Sequence, residues 1–283
     1  MSRIVYVNGA FVAEENAVIS VFDRGFLFAD AVYEVSTVLD GKLVDNLAHM
    51  ERLKRSLGEL KMSAPVAVDD IPALMEDLVA RNDLSEGMVY LQVSRGAADR
   101  DFAFPAEEKP SLVMFTQAKA VAVTPKSESG IKIVSMPDQR WARRDIKTTQ
   151  LLAQSVAKQE AAIQGADDAW MVEDGFVTEG SSNNAFIITA DGVIVTRQLS
   201  NSILHGITRR VVLEIAEAEG LTVEQRPFTL AEAQAAAEAF STSASSFVMP
   251  VVSIDGKTIS QGVPGPITRK LRERYIALAK EAA

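Results

Sequence analysis

The sequence predicts an α+β protein of two domains, and three observations carry that prediction. Asn8-Gly9, Asp40-Gly41, Asp174-Gly175, Asp191-Gly192 and Asp255-Gly256 lie between β-rich flanks, in both halves of the chain. Such pairs supply the positive φ values of tight hairpin turns, so they argue for antiparallel pairing and against a doubly wound parallel sheet. Short strands are grouped with separate helices on both sides of a central break, which is the α+β pattern. From Gln117 to Ser129 the chain loses its large apolar residues and gains Pro125, Lys126 and small residues. The boundary is placed there, with a small domain over 1–119, a linker over 120–128 and a large domain over 129–283.

The 283 residues are 47% hydrophobic, enough to bury a sizeable core. A formal net charge of −9 argues against nucleic acid or an anionic membrane surface as partner. With no cysteine, disulfides, thiolate catalysis and cysteine-bound zinc are excluded. His49 and His205 are too few for a histidine-rich site, so no metal is expected. The N-terminus lacks the apolar core of a signal peptide, and no apolar run is long enough to span a bilayer. A cytoplasmic location is therefore the default expectation.

In chain order, Ile4–Val7 and Ala10–Val12 read as a hairpin closed by Asn8-Gly9. Ala31–Leu39 is a strand, with Tyr33, Val35, Thr37 and Leu39 on one face and Val32, Glu34, Ser36 and Val38 on the other. A Tyr and a Glu on opposite faces of a largely apolar strand predict cover on both. Asn46–Leu60 reads as a helix, on a stripe of Leu47, Met50, Leu53, Leu57 and Leu60. Arg52 lies off that stripe and by itself reads as a solvated arginine. Asp70–Leu84 is a second helix, with Pro72 tolerated in its first turn. The strand Met88–Val93 runs into Ser94–Phe102, where Arg95 and Arg100 lie near aspartates. That loop is either a set of surface ion pairs or a carboxylate clamp. Ser111–Thr116 is a further strand.

In the second half, Ile131–Ser135 is a strand and Thr148–Gln164 a helix stopped by Gly165, which puts Lys147 at a helix entrance. Ala169–Val172, Phe176-Val177 and Ala185–Ile188 are strands, and Glu179–Asn184 is a polar break between the last two. Thr208–Glu219 is a helix opened by Gly206-Ile207 and closed by Gly220. Thr229 and Glu232 form a capping box for the next helix. Phe240–Ser246 is a hydroxyl-rich turn before the strand Val248–Ile254, and a last helix starts at Pro266.

Three of these parts suit one cofactor. Pyridoxal phosphate needs a lysine amine for its aldehyde, a partner for its pyridine nitrogen and an anion site for its phosphate. Lys147 is a candidate for the first, although a lone lysine is usually solvated. Glu179 suits the second, because an acidic partner keeps the ring nitrogen protonated. Gly206-Ile207-Thr208 at a helix start, and the hydroxyls from Thr242 to Ser246, suit the third. Each alone is a weak signal, since a threonine at a helix start is more often just a cap.

Arg144-Asp145-Ile146-Lys147, Val177-Thr178-Glu179-Gly180-Ser181-Ser182-Asn183 and Leu204-His205-Gly206-Ile207-Thr208-Arg209 resemble the fold type IV pyridoxal-phosphate enzymes. That superfamily includes branched-chain aminotransferases, D-amino acid aminotransferases, (R)-amine transaminases and aminodeoxychorismate lyase. The resemblance runs nearly end to end. Asp30–Val35 and the Arg95–Pro105 loop are most similar to the D-amino acid aminotransferases.

The resemblance implies the two-domain fold type IV architecture, pyridoxal 5′-phosphate as cofactor, transamination of D-amino acids with 2-oxo acids, and a homodimer. It implies Lys147 as the Schiff-base lysine and proton carrier, and Glu179 at the pyridine nitrogen. Arg52, Ile207 and Thr208 would hold the phosphate, and Leu204 would pack against the ring. Tyr33 and Arg100 would face the substrate carboxylate, with Ser245 also on the substrate side.

Two departures stand out. Where D-amino acid aminotransferases typically carry a histidine two residues after the clamp arginine, this chain has Phe102. A less polar carboxylate pocket follows, and with it relaxation toward (R)-primary amines. Where the family usually has a phosphate-contacting threonine, this chain has Ala244, so Ser243, Ser245 or backbone N–H groups would serve. Alternatives within the class are an (R)-amine transaminase, a branched-chain aminotransferase or a lyase. Outside it stands a non-catalytic module that keeps the fold and binds a metabolite.

Overall fold

The computed structural model describes residues 2–282. It mixes helices and strands as expected, and it divides into two compact units. One comprises the chain up to Ala120 together with Ile146–Gln150; the other comprises Val121–Asp145 and Leu151–Glu281.

The first unit contains β1 (Ile4–Val7), β2 (Ala10–Ala13), α1 (Arg24–Phe28), β3 (Ala31–Leu39), β4 (Lys42–Leu43), α2 (Asn46–Glu59), α3 (Ile71–Arg81), β5 (Gly87–Ser94) and β6 (Ser111–Ala118). Its six strands form one antiparallel sheet in the order β2-β1-β6-β5-β3-β4. The Asn8-Gly9 turn has φ of 47° and 97°, with Val7 opposite Ala10, as a two-residue hairpin requires. Met50, Leu53 and Leu57 of α2 and Ile71, Met75 and Leu78 of α3 are buried in its core. Leu47, in the first turn of α2, is exposed instead. A second stripe of α2, made of His49, Arg52 and Ser56, is buried as well. Arg52 is thus not the solvated arginine that its place off the apolar stripe suggests. Glu34 is fully buried and Tyr33 half-buried, so both faces of β3 are covered.

The second unit contains α4 (Pro125–Ser129), β7 (Ile131–Pro137), α5 (Leu152–Ile163), β8 (Asp168–Glu173), β9 (Phe176–Gly180), β10 (Asn184–Ile188), β11 (Ile194–Thr196), α6 (Ile207–Ala218), β12 (Val223–Gln225), α7 (Leu230–Ala235), β13 (Glu238–Ser243), β14 (Phe247–Ile254), β15 (Lys257–Thr258) and α8 (Pro266–Ala282). Its sheet runs β12-β11-β10-β13-β14-β7-β8-β9, with β15 on β14. Ile133 and Trp170 pack with Phe228, Ala233 and Val251 on one face. Their neighbours Val134 and Ala169 pack on the other against Ala157 and Ala161 of α5. Both faces are therefore buried, which suits the nearly continuous apolar runs of β8 and β10.

This sheet is mixed rather than antiparallel: β14 with β7, β7 with β8, and β11 with β12 are parallel. Turn pairs specify only hairpin neighbours. Parallel neighbours are joined by long crossovers, here through α5 for β7 and β8, and leave no local signature. Asp174-Gly175 and Asp255-Gly256 do form two-residue turns with both φ positive. Asp191-Gly192 does not; it sits in the longer link between Ile188 and Ile194.

Lys147 is not at a helix entrance. The helix begins at Leu152, and Ile146–Gln150 lies beside β3 instead. At the far end of β5, Gly96 has φ of +91°, and a Cβ there would run into the Lys109 carbonyl. Gly96→Ala is expected to lower stability by about 3 kcal/mol, from strain and a steric clash together, measured by urea unfolding. A change under about 0.5 kcal/mol would contradict that close approach.

Candidate active site

In the first unit the backbone fixes Lys147 more firmly than its side chain does. The Tyr33 N–H donates to the Lys147 carbonyl at 3.0 Å, and the Thr149 N–H donates to the Ala31 carbonyl at 3.1 Å. Val32 and Thr148 thereby form an antiparallel bridge. The Lys147 N–H faces Ser56 Oγ of α2 at 3.5 Å. Lys147 Nζ sits 4.0 Å from the Tyr33 ring centroid. Tyr33 stacks on Tyr90 and Tyr90 on Phe115, at 5.5 and 4.8 Å between centroids. The ring under the lysine is thus braced by a row of aromatics across three strands.

Arg52 reaches Glu34 with two parallel bonds, Nε to Oε1 at 2.8 Å and Nη2 to Oε2 at 2.7 Å. His49 Nδ1 donates to Glu34 Oε2 at 2.7 Å. A buried carboxylate is unfavourable unless it is paired and hydrogen-bonded. Burial pushes the Glu34 pKa up, but Arg52 and His49 outweigh it and bring it from the ordinary 4.5 to about 2. Arg52 is therefore held rigidly, by its Nε–Nη2 edge, on β3.

The two arginines of the 94–102 loop separate. Arg95 is buried, bonded to Asp30 Oδ2 at 2.8 Å, to Glu108 and to the Leu60 and Lys61 carbonyls. Its role is structural. Arg100 is exposed, and its guanidinium lies over the Phe28 and Phe102 rings at 5.4 and 5.6 Å. Phe102 is 79% exposed. Arg24 pins this loop by donating to the Asp101 and Ala103 carbonyls at 2.6 and 3.3 Å, while its Nε holds Asp30 Oδ2 at 2.8 Å.

In the second unit Glu179 is buried near the end of β9 and accepts from three donors. These are Arg140 Nη1 on Oε1, Asn184 Nδ2 on Oε2 at 2.8 Å, and the Leu204 N–H at 3.1 Å from both oxygens. These make four contacts, two on each oxygen, with the single Leu204 N–H shared between the two. Burial raises the Glu179 pKa above the ordinary value, and Arg140 works against it. Asn184 Nδ2 also donates to the Leu204 carbonyl at 3.0 Å. A Cβ on Gly206 would collide with Asn184 Oδ1. One asparagine therefore positions the Glu179 carboxylate and ties in the backbone that opens α6.

That helix starts at Ile207 with no side-chain cap from Gly206, and Ile207 and Thr208 are buried in its first turn. Its leading N–H groups lack intrahelical partners, the usual basis of an anion site. In the turn after β13, Ser243 Oγ lies 2.7 Å from Ser246 Oγ and 3.3 Å from Ser245 Oγ. The Thr242 hydroxyl is buried with no hydrogen-bond partner among the described residues. The residues of this unit fit pyridoxal phosphate: a buried acidic acceptor, an uncapped helix start three residues beyond Leu204, and an unsatisfied buried hydroxyl.

The structure thus joins Lys147 with Tyr33, and Glu179 with Leu204, although Leu204 reaches Glu179 through its backbone rather than its side chain. Ser243 and Ser245 share one turn around Ala244. Sequence reasoning missed Glu34, His49, Arg140 and Asn184. The spacing of His49, Arg52 and Ser56 along one helical face was the available signal; for Arg140 there was none, because its partner lies 39 residues away.

Residues 31–254 match the family described as Amino-transferase class IV. The chain is 38% identical to the D-alanine aminotransferase of Staphylococcus epidermidis, over 96% of this chain and 97% of that one. It is 36% identical to the D-alanine aminotransferase of Listeria monocytogenes, over 96% and 94%. Among solved structures it resembles the T.th. branched-chain amino acid aminotransferase with pyridoxamine 5′-phosphate, at 25% identity and a TM-score of 0.91, covering 100% of this chain and 96% of that one. The branched-chain aminotransferase of Thermoproteus uzoniensis with norvaline matches at 26% identity and a TM-score of 0.89, covering 99% and 95%.

The depressed Glu34 pKa makes its contribution to stability pH-dependent. That contribution is full above pH 4.5 and is lost as pH falls toward about 2. Glu34→Gln is expected to be less stable than wild type by on the order of 3 kcal/mol near neutral pH, with the gap closing toward pH 2. Urea midpoints across pH 2–7 measure it, and a pH-independent gap would contradict the ion pair.

Proposed function

Since this chain belongs to the class IV amino-transferase family, we propose that it is a pyridoxal 5′-phosphate enzyme that moves the amino group of D-amino acids, D-alanine first among them, to 2-oxo acids. The observation that carries this reading is the buried Glu179, held by backbone that leads directly into an uncapped helix start. The identity with D-alanine aminotransferases over nearly the whole chain supports the donor class.

The cofactor supplies an electron sink for charge developing on the substrate Cα. Lys147 would hold it through the aldehyde carbon, with loss of water, and would carry the proton between the substrate Cα and the C4′ position. Glu179 would accept from the ring nitrogen, and Leu204 would pack against the ring. Ile207, Thr208 and Ser243 take the phosphate, together with the backbone around Ala244, and Arg52 is its cation. Tyr33 and Arg100 receive the substrate carboxylate, for which a planar guanidinium is suited. Phe102 and Ser245 border the substrate side. An apolar Phe102 beside Arg100 favours, as a second reading, relaxation toward (R)-primary amines.

We also infer a homodimer in the cytoplasm. Val18, Val21, Phe22, Phe26, Phe102 and Phe104 are exposed on the first unit, and burying such side chains against a second copy would favour association. Light scattering is expected to give twice the 30.6 kDa of one chain, and a single-chain mass would refute the dimer.

Initial rates with D-alanine, L-leucine and (R)-1-phenylethylamine, each with 2-oxoglutarate, test the activity. D-alanine is expected to be the fastest, with ping-pong kinetics. Absence of D-alanine turnover would sink the proposal. Lys147→Ala is expected to lose at least about 10³-fold in rate, and the wild-type yellow colour with it.

A further inference from the structure

We propose that Arg140 is a positioning residue that holds the Glu179 carboxylate as a hydrogen-bond acceptor for a protonated ring nitrogen. This deepens the preceding reading and rests on Glu179 being the partner of that nitrogen. A carboxyl and a pyridine nitrogen facing each other share one proton. Whichever base is the weaker gives it up. The rest of the surroundings decide which one that is.

The geometry around Glu179 is built to refuse the proton. Arg140 Nη1, Asn184 Nδ2 and the Leu204 N–H are all donors. An O–H on either carboxyl oxygen would meet N–H groups and find no acceptor among them. Arg140 is the only one of the three that brings a full charge. Its other edge is saturated by Asp138, with Nε on Oδ1 at 3.0 Å and Nη2 on Oδ2 at 2.7 Å. The backbone N–H of Arg140 donates to the same Oδ1 at 3.1 Å. With that edge fixed, Nη1 is directed at Glu179.

Asp138 is itself anchored by Thr178 Oγ1 at 2.7 Å, one residue before Glu179 on β9. The clamp and the carboxylate it serves are therefore keyed to one strand. The charged groups that face this pair are Asp138 and Arg144, which lies 3.5 Å from Asp138, and Arg209, which feels the Glu179 charge. Burial and Asp138 both oppose ionisation of Glu179, and Arg140 is the cation that works against them. With Arg140 removed, burial acts on Glu179 with less opposition, and the shared proton moves from the ring nitrogen to the carboxyl.

The test uses the holoenzyme carrying pyridoxal phosphate labelled with ¹⁵N at the ring. Wild type is expected to show a pyridinium ¹⁵N shift that holds across pH 6–9. In Arg140→Gln the resonance is expected to move toward neutral pyridine, and cofactor dissociation is expected to become about tenfold easier, the factor that one unit of differential protonation corresponds to. Arg140→Lys, which restores the charge, is expected to recover part of the shift. Glu179→Gln separates the two readings. If it changes the ¹⁵N shift while Arg140→Gln leaves shift and affinity at wild-type values, the role of Arg140 is overturned. If Glu179→Gln also leaves both unchanged, Glu179 is not the nitrogen's partner and the underlying reading fails. Should Arg140→Gln not fold, Arg140→Lys, which keeps the charge but loses the fork on Asp138, is read by the same shift and by cofactor affinity, and wild-type values in both overturn the proposal.

Discussion

A carboxylate cannot be buried alone. Stripped of water it either takes up a proton or must be met by a cation and by enough hydrogen bonds to replace its hydration. Glu34 in the first unit and Glu179 in the second are two of several such carboxylates in this chain. Glu34 is met by Arg52 and His49, Glu179 by Arg140, Asn184 and Leu204. The two solutions differ in outcome. Glu34 is pulled well below the ordinary range, so its pairing is complete, whereas Glu179 stays above it. The first is a fork closed by one arginine edge; the second is met by three donors, one of them a backbone N–H split between both oxygens.

The same constraint explains why the backbone is so prominent around the site. Leu204 acts through its N–H and carbonyl, Gly206 through the lack of a Cβ, and Lys147 through pairing with β3. Side chains that serve chemistry need directions that rotamer freedom does not erode, and strand or loop backbone locked by hydrogen bonds provides them. The aromatic row Tyr33–Tyr90–Phe115 does for the lysine what Asn184 does for the glutamate.

What was legible in the sequence follows from range. Four of the five Asn-Gly and Asp-Gly pairs form two-residue turns, because a turn is decided by its own residues. The parallel pairs of the second sheet were not legible, because their partners meet across crossovers. Lys147 was recognisable as a candidate, yet its helix entrance was wrong by four residues; pairing with β3 takes precedence there over helix propensity. Arg52 looked solvated because an apolar stripe defines only one face of a helix, and its true partner sits on a strand before it. Phe102 and Ala244 were visible as departures from a pattern, but their consequences depend on chemistry rather than on fold.

The Ile146–Gln150 segment belongs to the first unit, although the chain has by then already entered the second. Neither unit is therefore a continuous piece of polypeptide. On the ribosome, β3 can pair with β4 at Val38 and Leu39 and with β5 once residue 94 has emerged, but the partner of its Ala31–Tyr33 end on the other side is more than 50 residues further on. Until Lys147 is made the Tyr33 N–H lacks its native acceptor, and until Thr149 is made the Ala31 carbonyl lacks its native donor. That end of β3 is thus left open in the nascent chain, and the segment that closes it contains Lys147. Closure of that edge and arrival of Lys147 are one event in synthesis.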